Sequence, residues 1–430
     1  METLLIQGGA RLTGRVVVSG AKNAALPVIA STLLTGESVE LSGVPELDDI
    51  FTMCELLENA GVNVDQGPGC LSLNAGKANA VEASYDLVRR MRASFLIAGP
   101  MLARFGFTRM PMPGGCAIGS RPIDLHLKAF TAMGAELSVE SGYIEAVAPG
   151  GLQGAHIYFD YPSVGATENA MMAATLAKGN TVLENAAREP EIVDLANLLT
   201  KMGAKVVGAG TGVIRIQGVE RLCGADHTVI PDRIEAGTYM TASAITNGDV
   251  IVENIVPEHL TAVIAKLREL GAGVEVGESE IRVYSETRPK AVDIKTMPYP
   301  GFPTDLQAQF MALLCLADDM SIITETVFEN RFMHVDELTR MGAKIKIDGR
   351  AAIVEGIDNL SGAPVNATDL RAGAALIIAG LAASGETEVV NTKHIDRGYD
   401  HIENKLRSLG AEIIRRTVAK KPGASAATAS

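Results

Sequence analysis

The sequence predicts an α/β protein assembled by repetition: six units of strand–helix–strand–helix–strands, gathered into two lobes of three. Three observations carry this. A short phrase, in which an apolar residue is followed by glycine and then a strand, recurs around Gly61, Gly134, Gly203, Gly271, Gly342 and Gly410. The interval is near-constant at roughly 70 residues, and a fixed period is a signal of fold. An amphipathic helix precedes each phrase, and a second, more apolar helix lies between successive ones.

In the last copy Ile395, Tyr399, Ile402, Leu406 and Leu409 share one face, which predicts a helix over 395–409. Gly410 is free to take the left-handed cap, and a strand starts at Glu412. The apolar set covers 24–34, 94–103, 167–177, 236–246, 305–317 and 370–383. These segments are rich in Ala, Met and Leu nearly all round, so they belong in a core. Strands with β-branched residues follow at 39–41, 181–183, 250–252 and 388–390. The alternation over 213–216 predicts a sheet with one wet face. Three units make about 210 residues, a reasonable size for one core. The expected boundaries are 21–230 for the first lobe and 1–20 plus 231–418 for the second, the chain crossing near 20 and 230. The tail 419–430, rich in Ala, Ser and Lys, is expected to be disordered.

Composition narrows the function. With 47% hydrophobic residues and no Trp, the 430-residue chain builds its core from aliphatic side chains. A net charge of −13 argues against a nucleic-acid partner, yet leaves room for anionic small substrates in a locally basic cleft. The N-terminus does not read as a secretory signal, and the apolar run 372–383 is too short to span a membrane. Cys54, Cys70, Cys116, Cys223 and Cys315 are odd in number, far apart and without a CxxC pair, which points to a reducing compartment. The histidines show no metal-ligand spacing, and no metal is expected.

Several phrases then converge. Residues 19–27 read Ser-Gly-Ala-Lys-Asn-Ala-Ala-Leu-Pro, 89–95 Arg-Arg-Met-Arg-Ala-Ser-Phe, and 113–126 Pro-Gly-Gly-Cys-Ala-Ile-Gly-Ser-Arg-Pro-Ile-Asp-Leu-His. Thr304 precedes Asp305, 329–334 read Glu-Asn-Arg-Phe-Met-His, 369–373 Asp-Leu-Arg-Ala-Gly, and 396–399 Asp-Arg-Gly-Tyr. Together they resemble the UDP-N-acetylglucosamine 1-carboxyvinyltransferase family of enolpyruvyl transferases over residues 1–418. The resemblance implies two lobes of three βαβαββ units, an inside-out α/β barrel. It also implies transfer of the enolpyruvyl group of phosphoenolpyruvate to the 3′-hydroxyl of UDP-N-acetylglucosamine with release of phosphate. This is the first committed step of peptidoglycan synthesis. A cytoplasmic monomer is expected, with those two substrates as partners and no cofactor.

Each chemical element has a plainer reading beside this one. A lone cysteine is usually a small buried hydrophobe, but Cys116 sits among glycines in a loop, where a core residue would be odd. A thiol is a usable acid and its thiolate a usable nucleophile. The resemblance makes Cys116 the proton donor to the methylene carbon and the residue alkylated by fosfomycin. Gly114, Gly115 and Gly119 are the expected hinges of its loop. Lys22 and Asn23 open an apolar helix either as a solvated pair or as a phosphate grip aided by the helix N-terminus. Arg121, Arg331, Arg371 and Arg397 are scattered as surface arginines are, yet they lie at the ends of core helices in different repeats. Folded face to face, they could meet a carboxylate and a phosphate. The resemblance places Arg397 on phosphoenolpyruvate, and Arg121 and Arg331 around its phosphate. Asp305 reads as an N-cap; the resemblance adds the role of base toward the sugar hydroxyl, and both can hold.

For the sugar nucleotide the resemblance points to Arg92, Arg121, Pro122, Ile123, Asp124, Leu125, Ser163, Val164, Gly165, Asp305 and Val327. One departure is Tyr161, where the family commonly carries lysine. The alternatives are the sister enzyme acting on shikimate 3-phosphate, whose Gly-Asn-Ala-Gly phrase is missing near residue 95, and a non-catalytic regulatory relative. Joint retention of Lys22, Cys116, Asp305 and Arg397 speaks against the second, since a pure binder needs neither acid nor base.

Overall fold

The computed structural model describes residues 2–79, 84–112 and 123–417. Within them the strands form six sheets, five four-stranded and one three-stranded. Four of them share one layout. Asn180–Glu184, for example, pairs in parallel with His156–Tyr158 on one side. On its other side it runs antiparallel to Val213–Gln217, beyond which lies Lys205–Val207. Ile214 and Ile216 are buried while Arg215 and Gln217 face out, the one-sided burial that the alternation predicts. In the fifth four-stranded sheet the strand Glu2–Gln7 inserts between Glu386–Val390 and Glu412–Thr417, antiparallel to both. The first and last strands of the described residues therefore share one sheet.

All six repeat glycines have positive φ, between 86° at Gly61 and 102° at Gly203. Each follows a helix whose last turn closes in the same way. At Gly410, for example, the glycine N–H donates to Arg407 O and the Ala411 N–H to Leu406 O. This six-to-one bond is the Schellman stop, and a left-handed residue is what it requires. The repetition in sequence is thus the repetition of one helix terminator.

The buried apolar residues form two clusters. One draws on residues 21–229 and the other on 4–18 together with 234–413. Three apolar helices pack together in each: Lys22–Ser31, Ala98–Phe105 and Val164–Ala174 in the first, Arg233–Ile245, Gln307–Leu314 and Leu370–Ala382 in the second. Ala and Gly let them approach closely; a Cβ at Gly237 would run into Leu306. The chain passes between clusters twice, and the passes lie side by side. Gly20 bridges Pro231, Ala21 N donates to Ile230 O at 2.7 Å, and Asp232 N donates to Ser19 O at 2.9 Å.

Two expectations need correction. The helix expected over 395–409 is a 3-10 turn at Thr392–His394, a run of turns, and a helix only at Ile402–Ser408. His401 takes a left-handed φ of 45°, and Arg415 pulls the Asp396 and Glu403 carboxylates toward the neighbouring strand. The apolar face survives the break, since Ile395, Tyr399, Ile402, Leu406 and Leu409 are all buried. Asp305 is not an N-cap. It lies inside the 3-10 turn Thr304–Leu306, and its carboxylate is taken by two arginines. The expected tail 419–430 lies outside the described residues.

Candidate active site

The first group forms where the two clusters meet. Lys22 is the opening residue of the helix Lys22–Ser31 and is buried. Its Nζ lies 3.0 Å from Asp49 Oδ2, at the start of the helix Asp48–Asn59. Arg397, from the broken stretch after Thr392–His394, donates through Nε to the other oxygen of Asp49 at 2.8 Å. One carboxylate thus joins two cations from different clusters. Burial alone would push Asp49 up; Lys22 and Arg397 outweigh it and hold the carboxyl below its ordinary value. Asn23 is exposed beside this group, and Pro27 lacks the N–H that would bond the Asn23 carbonyl four residues back.

The second group adjoins it. Arg331 donates to Asp305 Oδ1 at 2.6 Å and Arg371 to Oδ2 at 2.9 Å. Arg371 heads the helix Leu370–Ala382, which Asp369 caps by accepting from the Arg371 and Ala372 N–H groups. Its other branch donates to the buried Tyr399 hydroxyl at 3.3 Å, which also meets Thr238 Oγ1 at 2.9 Å. Burial raises Asp305, but Arg371 and Arg331 together hold it well below the usual carboxylate range. The positive charges of Arg371 and Arg397 both reach Lys22, which ties the two groups into one field. Lys22, Arg331, Arg371 and Arg397 face only Asp49 and Asp305 in these pairs, a positive site in an acidic chain.

Glu325 organises the wall behind Asp305. It accepts from Thr304 Oγ1 at 2.7 Å and from the Val327 N–H at 2.8 Å, while Thr304 accepts from Arg331 at 2.8 Å. The carboxylates of Glu189 and Glu325 both act on Tyr161, which is half-exposed between segments of the two clusters.

A third group surrounds the start of the helix Val164–Ala174. Ser163 caps it through Ala166 N–H. Ile123, Asp124 and Leu125 open the neighbouring helix Asp124–Ala132. His126 Cε1 and Nε2 stand over Gly165, where a Cβ would come within 3.3–3.4 Å of them. The tautomer of His126 follows from its surroundings. Asn169 Oδ1 accepts from the Gly99 N–H and its Nδ2 donates to the Phe95 carbonyl, so the amide has one orientation. Its Nδ2, 2.9 Å from His126 Nδ1, must donate there too, leaving the proton of the neutral ring on Nε2. Burial and the charge of Arg92 push His126 down to about 4, so the ring is neutral at pH 7. Cys116, Arg121 and Pro122 lie outside the described residues.

A family model described as EPSP synthase (3-phosphoshikimate 1-carboxyvinyltransferase) matches residues 6–406. The UDP-N-acetylglucosamine 1-carboxyvinyltransferase 2 of Carboxydothermus hydrogenoformans is 61% identical over 96% of this chain and 99% of the relative. That of Halalkalibacterium halodurans, numbered 1, is 58% identical over 96% and 94%. The chain belongs to the UDP-N-acetylglucosamine 1-carboxyvinyltransferases. Among solved structures, the enolpyruvyl transferase NikO from Streptomyces tendae superposes with a TM-score of 0.88 at 26% identity, covering 97% of this chain and 99% of that one. EPSP synthase from Acinetobacter baumannii reaches 0.76 at 18% identity, covering 97% and 100%, a likeness of fold alone.

For this carboxyvinyltransferase, sequence reasoning missed the residues that hold its site together. Asp49 follows Asp48 at a helix start, where acids merely suit the helix dipole. Thr304, Glu325, Asn169 and Tyr399 act through other residues; Thr304 and Tyr399 lay in quoted phrases without a role, and Glu325 and Asn169 in none.

Proposed function

We propose that the chain transfers the enolpyruvyl group of phosphoenolpyruvate to the 3′-hydroxyl of UDP-N-acetylglucosamine and releases phosphate. The observation that carries this is Asp305 clamped between Arg331 and Arg371, inside the same positive field as Lys22 and Arg397. The Asp305 carboxylate is the counter-ion that an arriving trianion displaces. Phosphoenolpyruvate takes donors from Lys22, Asn23, Arg121, Arg331, Arg371 and Arg397. Once a guanidinium turns to the substrate, Asp305 loses part of the charge that depresses its basicity and accepts the proton of the sugar hydroxyl. Cys116 gives a proton to the methylene carbon as the sugar oxygen bonds the neighbouring carbon. The tetrahedral ketal that results expels phosphate by C–O cleavage; a methyl proton returns to the Cys116 thiolate to restore the double bond, and the proton held by Asp305 leaves with the phosphate. Fixed positive groups favour the negative charge that grows on the departing phosphate, and positioned dipoles in a closed, dry cleft favour the positive charge that develops at the former enol carbon.

The sugar nucleotide lies along Arg92, Arg121, Pro122, Ile123, Asp124, Leu125, Ser163, Val164 and Gly165, reaching Asp305 and Val327. Tyr161 meets the diphosphate through its hydroxyl or a nearby N–H where the family commonly uses a lysine. Residues 21–230 form one lobe and 1–20 with 231–418 the other, three βαβαββ repeats each, as an inside-out α/β barrel. The reaction is the cytoplasmic entry to peptidoglycan synthesis, run by a monomer and open to fosfomycin at Cys116. Phosphate release from phosphoenolpyruvate, measured with UDP-N-acetylglucosamine and separately with shikimate 3-phosphate, tests this reading. Release is expected with the first acceptor only; none with it would defeat the proposal.

A further inference from the structure

The geometry points to Asp49 as a positioning residue: it holds Lys22 as an ammonium and draws Arg397 across the seam, so that the phosphoenolpyruvate clamp is assembled before substrate arrives. This rests on the reading of Lys22 and Arg397 given above. Asp49 is buried and is not itself assigned to substrate; it acts through Lys22 and Arg397. Its two oxygens are divided between a cation of each apolar cluster, at 3.0 and 2.8 Å. The donors it leaves matter as much. Arg397 spends Nε, with NH2 3.4 Å from Asp49 Oδ2, so its NH1 edge is open on a side chain 39% exposed. Lys22 spends one of three ammonium protons.

Without Asp49 the surroundings of Lys22 turn one-sided. Arg371 and Arg397 are positive, and burial also disfavours the ammonium. The other elements packed on its helix offer no substitute. Pro190–Lys201 turns Glu191 to Arg233 and Asp194 to His227. Val164–Ala174 carries Glu168, whose neighbours are Glu191 and Glu189, and the turn Arg92–Ile97 adds a further cation. Asp48, next in the chain, acts on Arg397 but makes no pair with Lys22. A neutral Lys22 binds a trianion poorly, and an untethered Arg397 must be ordered by the substrate itself.

The test is Asp49→Asn, with Asp48→Asn as control and phosphate release as readout. For D49N the KM for phosphoenolpyruvate should rise about tenfold or more while that for UDP-N-acetylglucosamine stays within about threefold. The alkaline limb of phosphoenolpyruvate affinity, measured on a Cys116→Ser background so that the thiol does not contribute, falls as Lys22 loses its proton and should move about one unit to lower pH. D48N should move neither. An unmoved limb, or an equal rise in both KM values, overturns the inference. Should D49N fail to fold, Asp49→Glu decides: with the charge kept, its limb stays in place while KM for phosphoenolpyruvate rises, and a shifted limb is contrary. If wild-type protein releases no phosphate, the functional reading has failed rather than this one.

Discussion

Replacing Asp305 by asparagine removes one negative charge and little volume, so it isolates what that charge does. In the wild-type site the carboxylate accepts at 2.6 Å from Arg331 and at 2.9 Å from Arg371, both nearly fully buried. Breaking a buried pair from one side costs about 3–5 kcal/mol, because the partner charge stays behind. Asp305 keeps 24% of its side-chain surface, and the asparagine oxygen still accepts from one guanidinium. The discounted expectation is about 2–4 kcal/mol. Turnover should fall about 100- to 10,000-fold, the usual effect of losing a general base. The two losses respond differently to ligand. Inorganic phosphate replaces the missing charge in the variant but must displace Asp305 in the wild type, so it should raise the melting temperature of D305N more. The pH dependence has a definite sign. A carboxyl held below its unfolded value stabilises fully above that value, about 4, and the contribution is lost as pH falls through the folded value. The stability gap between wild type and D305N should therefore be full at neutral pH and narrow progressively below about pH 4. Denaturant titrations at several pH values, with and without phosphate, and a phosphate-release assay test all of this. Turnover within tenfold of wild type, or an equal phosphate effect on both proteins, would refute the reasoning.

Other perturbations separate the parts of the site. Cys116→Ser should abolish most turnover and fosfomycin alkylation without altering the melting temperature; retained activity would remove the thiol from the mechanism. Gly165→Ala places a methyl 3.3–3.4 Å from the His126 ring, which must give way, so the KM for UDP-N-acetylglucosamine should rise several-fold with that for phosphoenolpyruvate little changed. Gly410→Ala meets only Arg11 O at 4.0 Å, so its cost is that of the left-handed φ of 96°, about 1–2 kcal/mol in denaturation with kinetics unchanged.

The repeat was legible because its punctuation is physical. A helix that ends in a Schellman turn needs a left-handed residue, and six glycines advertise it. The apolar helices were legible because burial on every side leaves no polar face to write. The break at His401 was not, since the five apolar residues around it keep a helical spacing and the ties to Arg415 are long-range. The chemical residues stood out by type and phrase. Their supports did not, because Asp49, Glu325 and Asn169 owe their roles to partners far along the chain: Asp49 and Arg397 are 348 positions apart.

The strand Glu2–Gln7 has a consequence for how the molecule is made. It is translated long before both of its sheet neighbours, Glu386–Val390 and Glu412–Thr417. Residues 21–230 can condense on the ribosome as soon as they emerge, since among the described residues their apolar cluster draws only on that span. At about 5–20 residues per second, the opening strand waits on the order of 20 seconds or longer with unpaired edges. Its one charged residue, Glu2, which joins Arg415 at 3.0 Å in the finished sheet, is suited to discouraging a wrong neighbour during that wait.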